Sequence, residues 1–418
     1  MAPSYQTFKT PYVCCTSNTT NEISLTPSWP TPMQGESFSN CPLMAALAST
    51  WWVNRMFIVN NSWLPDAHGN YTFTFWDYGV GNPMTASTTM GGLVILSGVI
   101  NPVNGAGSPT GVRTIVPVSP QVLLDAAGNF SDPSPGGTFY GAGSSNANEV
   151  WPALFERAYA KFCYYEYGIA LPSTGAFLTC AAGVDPNGNP VQILTGADPT
   201  YSDVLNLGND PANPMKNQWG GNAGIGLAYL TGMNCFQLST TLANFAPPAH
   251  SNIPAGAGSS SLYTFIKNGF CSETTLVYGK YKTKYPLVAW TYANGSQLGG
   301  VSYNTNASLG IVACHCYAIL GVFDATATTN KKSYIVLRTT FGQSDPTKQV
   351  NVSPVNNGLW KYWDARFPIG LTGGQYPPNT ATKLPQTLDL SILGDAVFGL
   401  DQAVFSNYFQ SIGWAEGY

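Results

Sequence analysis

Three histidines occur in 418 residues, at positions 68, 250 and 315, so imidazole chemistry has few places to act. His68 lies in the turn-like run Pro65–Asn70, and His250 follows Pro247–Pro248 in a proline-rich loop. His315 alone sits in an apolar stretch, Val312–Ala318, that reads as buried strand. A lone strand histidine is ordinarily a core residue satisfied by its neighbours. A partner changes that reading. Cys41 stands between Asn40 and Pro42, ahead of the apolar run Leu43–Ala48, the pattern of an N-cap, a first-turn proline and a buried helix. Backbone N–H groups and the helix dipole stabilise a thiolate at that place. Upstream, Gln34 carries an amide able to donate to an oxyanion. Cys41 as nucleophile and His315 as base is therefore the chemistry these residue types allow.

Cys314 and Cys316 flank His315. On a strand both would point away from the imidazole, so no metal site is expected and the thiols read as small apolar fillers.

The elements that must bring residues 41 and 315 together are legible in part. Tyr71–Trp76 alternates apolar and Thr positions, and Gly92–Ile100 reads as a core strand. Glu149–Tyr167 reads as an amphipathic helix with Trp151, Leu154, Phe155, Ala158 and Phe162 on one face. Strands are expected over Thr275–Tyr278, Pro286–Tyr292, Gly310–Phe323 and Ser333–Arg338. The stretches 101–148 and 172–219 are rich in Gly, Pro, Ser and Asn and read as long loops. The run Leu388–Ile412 suggests one closing helix. Helices early and strands late give an α+β chain in two lobes.

Composition narrows the partners. Only 9% of residues are charged, against roughly a quarter in ordinary globular domains. With 17 basic and 21 acidic residues and no basic run, nucleic-acid binding is not expected. No apolar stretch is long enough to span a bilayer, so no membrane partner is expected either. A surface of amides and hydroxyls lowers repulsion between copies and favours self-assembly into homo-oligomers. Nine scattered cysteines, an odd number, are no disulfide framework. Met1–Cys15 lacks the basic-then-apolar pattern of a leader. A reduced cytoplasmic setting follows as the expectation, with an extracellular one by a non-standard route as the alternative.

Several segments in order resemble one family. Gln34–Ala48 (QGESFSNCPLMAALA) is similar to the calpain nucleophile segment, and Tyr71–Gly79 (YTFTFWDYG) to that family's Phe-Trp strand. Glu149–Lys161 (EVWPALFERAYAK) matches the family's Glu-x-Trp helix nearly residue by residue. Gly220–Gly232, His315–Tyr317, Leu337–Gly342 (LRTTFG) and Gly358–Asp364 (GLWKYWD) resemble the segments that follow. The resemblance covers about 30–370, with insertions at 101–148 and 170–215. It implies a papain-like cysteine protease fold, with a helical lobe carrying the cysteine over 31–227 and an antiparallel β lobe carrying the histidine over 228–370. Residues 1–30 would be an arm or propeptide-like extension and 371–418 a C-terminal extension. It further implies Cys41 and His315 as catalytic pair, Gln34 as oxyanion donor, a protein or peptide substrate, and Gly220, Gly221 and Phe341 at the substrate cleft.

The departures are specific. Thr339 aligns with the Asn that orients the imidazole, through its Nδ1 proton on this reading; Phe341 replaces Trp and Pro42 stands where Trp follows the nucleophile. The acidic calcium-binding loops of calpains are not recognisable, so neither calcium nor another cofactor is expected. Two functions follow: a calpain-like cysteine endopeptidase, or an inactive descendant kept for structure, storage or self-assembly. Acyl transfer of transglutaminase type uses similar machinery but has no segment in its favour.

Overall fold

The computed structural model describes residues 4–7, 32–34, 40–60, 62–63, 69–77, 86–90, 93–96, 112–124, 141–144, 150–185, 187–209, 224–248, 251–273, 280–293, 311–325, 332–340, 359–360 and 397–416. The chain is mixed α+β. In order, the elements are β1 (Ser4–Thr7), β2 (Pro32–Met33), α1 (Cys41–Asn60), β3 (Ser62–Trp63), β4 (Tyr71–Asp77), β5 (Ala86–Met90), β6 (Leu93–Leu96), β7 (Val112–Val118), β8 (Gln121–Leu124) and β9 (Gly143–Ser144). Then come α2 (Trp151–Glu166), β10 (Thr179–Val184), β11 (Pro190–Thr195), α3 (Tyr201–Asn209), α4 (Ile225–Thr231), β12 (Asn234–Ser239), α5 (Leu262–Phe270), β13 (Cys271–Glu273) and β14 (Lys280–Thr283). Last are β15 (Leu287–Thr291), β16 (Cys316–Ala325), β17 (Lys332–Thr339), β18 (Leu359–Trp360), β19 (Val397–Asp401), α6 (Gln402–Tyr408) and β20 (Phe409–Glu416).

A large sheet runs β18-β19-β17-β16-β15-β20-β12-β6-β5, with β13 and β14 joined to it through β16. A smaller sheet runs β10-β11-β7-β4-β3. The large sheet is covered on both faces, so its central strands are apolar on both. Val288, Trp290, Cys316 and Ala415 face one core with α1, α2 and α4. Leu287, Ala289, Tyr317, Ile319, Ile412 and Trp414 face the other, with α5 and α6.

The helix carrying Cys41 starts where capping chemistry predicts. Asn40 O accepts from Met44 N at 3.1 Å, and Pro42 lies in the first turn, where its missing N–H costs nothing. The helix lies along β16. The register of β16 against β17 shifts between Ile319 and Gly321, leaving Leu320 bulged. The bulged carbonyl accepts from Trp52 Nε1 at 2.6 Å and from Thr283 Oγ1 at 3.2 Å. Trp52 is eleven residues beyond Cys41, about 16 Å along a helix. Leu320 is five residues beyond His315, about 16 Å along a strand. Equal spacings in the same direction bring residue 41 beside residue 315.

Elsewhere the structure departs from expectation. The loop expected over 101–148 contains β7 and β8, whose Ile115, Val116, Val118, Val122 and Leu123 are buried. Glycine and proline in the flanks mask a β-branched VRTIVPV run that pairs along the whole of β4. The loop-rich 172–219 holds the β10–β11 hairpin and α3. Of the closing helix expected over 388–412, the described residues begin at 397 and form strand, short helix and strand. Asp401 caps α6 by accepting from Ala403 N at 3.0 Å, and β20 then inserts between β12 and β15. Helical periodicity in that run yields to pairing on both strand edges. Residues 397–416, assigned to the C-terminal extension, thus supply an internal strand of the large sheet. The helix over 149–167 spans Trp151–Glu166, but its polar residues are buried too: Arg157 and Lys161 meet Asp198 and the carbonyls of Pro117 and Pro199. The strand expected over 275–278 lies outside the described residues. Among the described residues no helix is long and apolar enough to cross a membrane.

Close packing of α4 onto α1 depends on Gly226. A Cβ there would lie 2.6 Å from the Pro42 carbonyl oxygen and 3.3 Å from Ala46 Cβ. Gly226→Ala should lower stability by about 1–2 kcal/mol, overpacking exceeding the helix preference for Ala. A urea midpoint equal to or above that of the parent protein would refute this account.

Candidate active site

Cys41 is the first residue of α1 and is 5% exposed. Burial pushes its thiol up to about 12, although the backbone N–H groups of Cys316 and of Cys41 itself act on the sulfur in the opposite sense. The Cys316 N–H belongs to the peptide unit that follows His315. The thiol therefore rests against the histidine's own backbone, 274 residues away in sequence.

His315 is 4% exposed and sits just before β16, not within a strand as expected. Cys314 before it has φ +50°, a left-handed conformation uncommon outside glycine and frequent at functional sites. That turn separates the neighbouring thiols: Cys314 is exposed, whereas Cys316 is buried against α1. Alternation along a strand therefore does not apply at Cys314. Among the described residues no group of three or more His, Cys, Asp or Glu could hold a metal ion.

The His315 backbone is cradled by β15. Thr291 Oγ1 accepts from His315 N at 2.8 Å and donates to Val312 O at 2.7 Å, while Thr291 N donates to His315 O at 3.0 Å. The ring stands edge-on to Tyr317, centroids 5.1 Å apart. Its Nε2 lies 2.9 Å from Thr340 Oγ1. Thr340 Oγ1 in turn donates to Gln34 Oε1 at 2.9 Å, and Gln34 N donates to Thr340 O at 2.6 Å. A hydroxyl has one proton. With that proton committed to Gln34, Thr340 accepts from Nε2–H, and His315 keeps its lone pair on Nδ1. Burial lowers the His315 pKa to about 3, so the ring is neutral at pH 7.

Of the residues singled out from the sequence, His315 and Gln34 are joined through Thr340, and the Cys41 sulfur meets the backbone N–H that follows His315. The imidazole is hydrogen-bonded through Nε2 to Thr340, the residue after the Thr339 singled out from the sequence. Thr339 lies opposite Tyr317 in the β16–β17 ladder. Gly220, Gly221 and Phe341 lie outside the described residues, as do His68 and His250. Sequence reading passed over Thr340 and Thr291, because nothing in a tandem Thr339–Thr340 says which faces the ring.

It also passed over Glu156. This carboxyl is buried in α2, accepts from Asn40 Nδ2 and from Ala142 N, and is pushed up to about 8 by burial. Burial thus moves Cys41, His315 and Glu156 each toward its neutral form.

No protein-family model matches the chain, and no curated protein matches it.

A neutral buried histidine has a sign for stability against pH. Its folded pKa of about 3 lies below its ordinary 6.5, so its contribution is full above pH 6.5 and is lost as pH falls toward 3. Between pH 7 and pH 4.5 the protein should lose about 2–3 kcal/mol that His315→Gln does not lose. Parallel urea-stability profiles for the two proteins would contradict the buried neutral ring.

Proposed function

We propose that this chain is a calpain-like cysteine endopeptidase built on a papain-like scaffold, with Cys41 as nucleophile and His315 as base. One observation carries the reading: the His315–Cys316 peptide N–H meets the Cys41 sulfur at a helix start, while Thr340 and Gln34 hold the imidazole. A core histidine needs no such chain of partners. The order of segments that resemble calpains supports the same reading.

In the proposed reaction His315 Nδ1 takes the Cys41 proton as sulfur attacks a peptide carbonyl. The new oxyanion is met by the Cys41 backbone N–H and by the Gln34 amide N–H₂, whose oxygen is engaged by Thr340. Collapse expels the amine, which takes the proton from His315, and water then hydrolyses the thioester. Thr340 acts in the place the family gives to Asn. It accepts one hydrogen bond from Nε2 and so keeps the tautomer that leaves Nδ1 basic.

Burial of both reacting groups favours a second reading, an inactive descendant kept for structure or self-assembly. With the thiol pushed up and the imidazole pushed down, burial disfavours a thiolate–imidazolium pair in this arrangement. The endopeptidase reading therefore includes opening of the site to water or substrate, which relieves the desolvation that causes both shifts.

A peptidyl epoxide of the thiol-protease type should label Cys41 in the native, reduced protein supplied with calcium, and Cys41→Ser should abolish the adduct. Thr340→Val should slow labelling roughly tenfold, the equivalent of one hydrogen bond, and Thr339→Val should leave it nearly unchanged. An unlabelled native protein would sink the endopeptidase reading and leave the structural one.

A further inference from the structure

Behind the start of α1 lies a polar pair in apolar surroundings. Asn40 caps the helix with its backbone carbonyl. An N-cap side chain ordinarily accepts from the second or third helical N–H. Here the second helical residue is Pro42, which has none. The Asn40 amide is turned instead to α2, where Nδ2 donates to Glu156 Oε1. Asn40 Oδ1 is left buried with no hydrogen-bond partner. Glu156 Oε2 accepts from Ala142 N at 3.0 Å, so the carboxyl joins three separate segments.

As stabilisation this pair is poor, because a buried carboxyl beside a half-satisfied amide is worse than apolar groups of the same volume. Its position is what distinguishes it. The Asn40 carbonyl and the Cys41 N–H belong to one planar peptide unit. Holding the Asn40 side chain from α2 and its carbonyl from Met44 fixes the direction of the Cys41 N–H.

We propose that Glu156, acting through Asn40, is a positioning residue that aims the Cys41 backbone N–H at the oxyanion formed when the thiol attacks a carbonyl. The inference rests on the endopeptidase reading above. In that step an S–C bond forms, the C=O π pair moves onto oxygen, and the thiol proton goes to His315 Nδ1. Glu156 touches none of these atoms.

The probe that reads the oxyanion is the peptidyl aldehyde acetyl-Leu-Leu-norleucinal, which adds reversibly to a thiol as a hemithioacetal. Iodoacetamide is the control: it alkylates the sulfur with loss of iodide and forms no oxyanion. Glu156→Gln keeps the volume but offers one acceptor oxygen to two donors. It should weaken aldehyde binding about tenfold while alkylation of Cys41 stays within about threefold of the parent rate. Asn40→Ala should do the same, and the double variant should be no worse than either single one. Aldehyde binding within threefold of the parent in folded Glu156→Gln overturns the inference alone. A parent protein that is alkylated at Cys41 but does not bind the aldehyde overturns the endopeptidase reading, and the positioning role with it. Loss of a cooperative thermal transition in both single variants makes the pair structural and overturns the inference as well.

Discussion

The hydrogen bond from Trp52 Nε1 to the bulged Leu320 carbonyl fixes how the helix bearing Cys41 lies against the strand that follows His315. Without the bulge the carbonyl of residue 320 would be committed to the sheet ladder. With it, the strand offers an acceptor to α1 and still keeps Tyr317, Ile319 and Val322 in one core. Gly321 follows because a Cβ there would strike the Tyr281 carbonyl on β14. One extra residue in β16 therefore serves packing, register and the placing of α1 along the strand at once. The close approach at Gly226 holds the same helix from its other side.

Desolvation governs what that alignment can do. Cys41, His315 and Glu156 are all buried, and burial moves each toward its neutral form. The hydrogen-bond chain from His315 through Thr340 to Gln34 is then a matter of tautomer and direction more than of charge. Such a site is ordered before any ion pair exists in it. Whether it reacts depends on admitting water or substrate, since neutral groups in a dry pocket are stable but poorly nucleophilic.

The scarcity of charge acquires a structural meaning. Among the described residues ten charged side chains are buried, including Arg157, Lys161, Asp203, Arg338 and Glu416. Several complete networks that join segments far apart: Asp203 accepts from Ser173 and Thr200, Glu416 from Trp414 and Ser251, and Asp198 meets both cations of α2. Charges that a typical protein would place in solvent are used here inside.

The residue types themselves determined the start of α1, the apolar face of α2, the β4, β15 and β17 strands, and the choice of Cys41, His315 and Gln34 as candidates, because caps, periodicity and rare residues are local signals. Locality also explains the failures. The β7 strand was hidden by its Gly- and Pro-rich flanks, and β20 imitated a helix until two neighbouring strands claimed its edges. Thr340 was not legible beside Thr339, since only the end of the ladder brings its hydroxyl to the ring. Glu156 read as one more polar position on an amphipathic helix. Its partner Asn40 lies 116 residues away, and only tertiary packing sets such a pair behind a thiol.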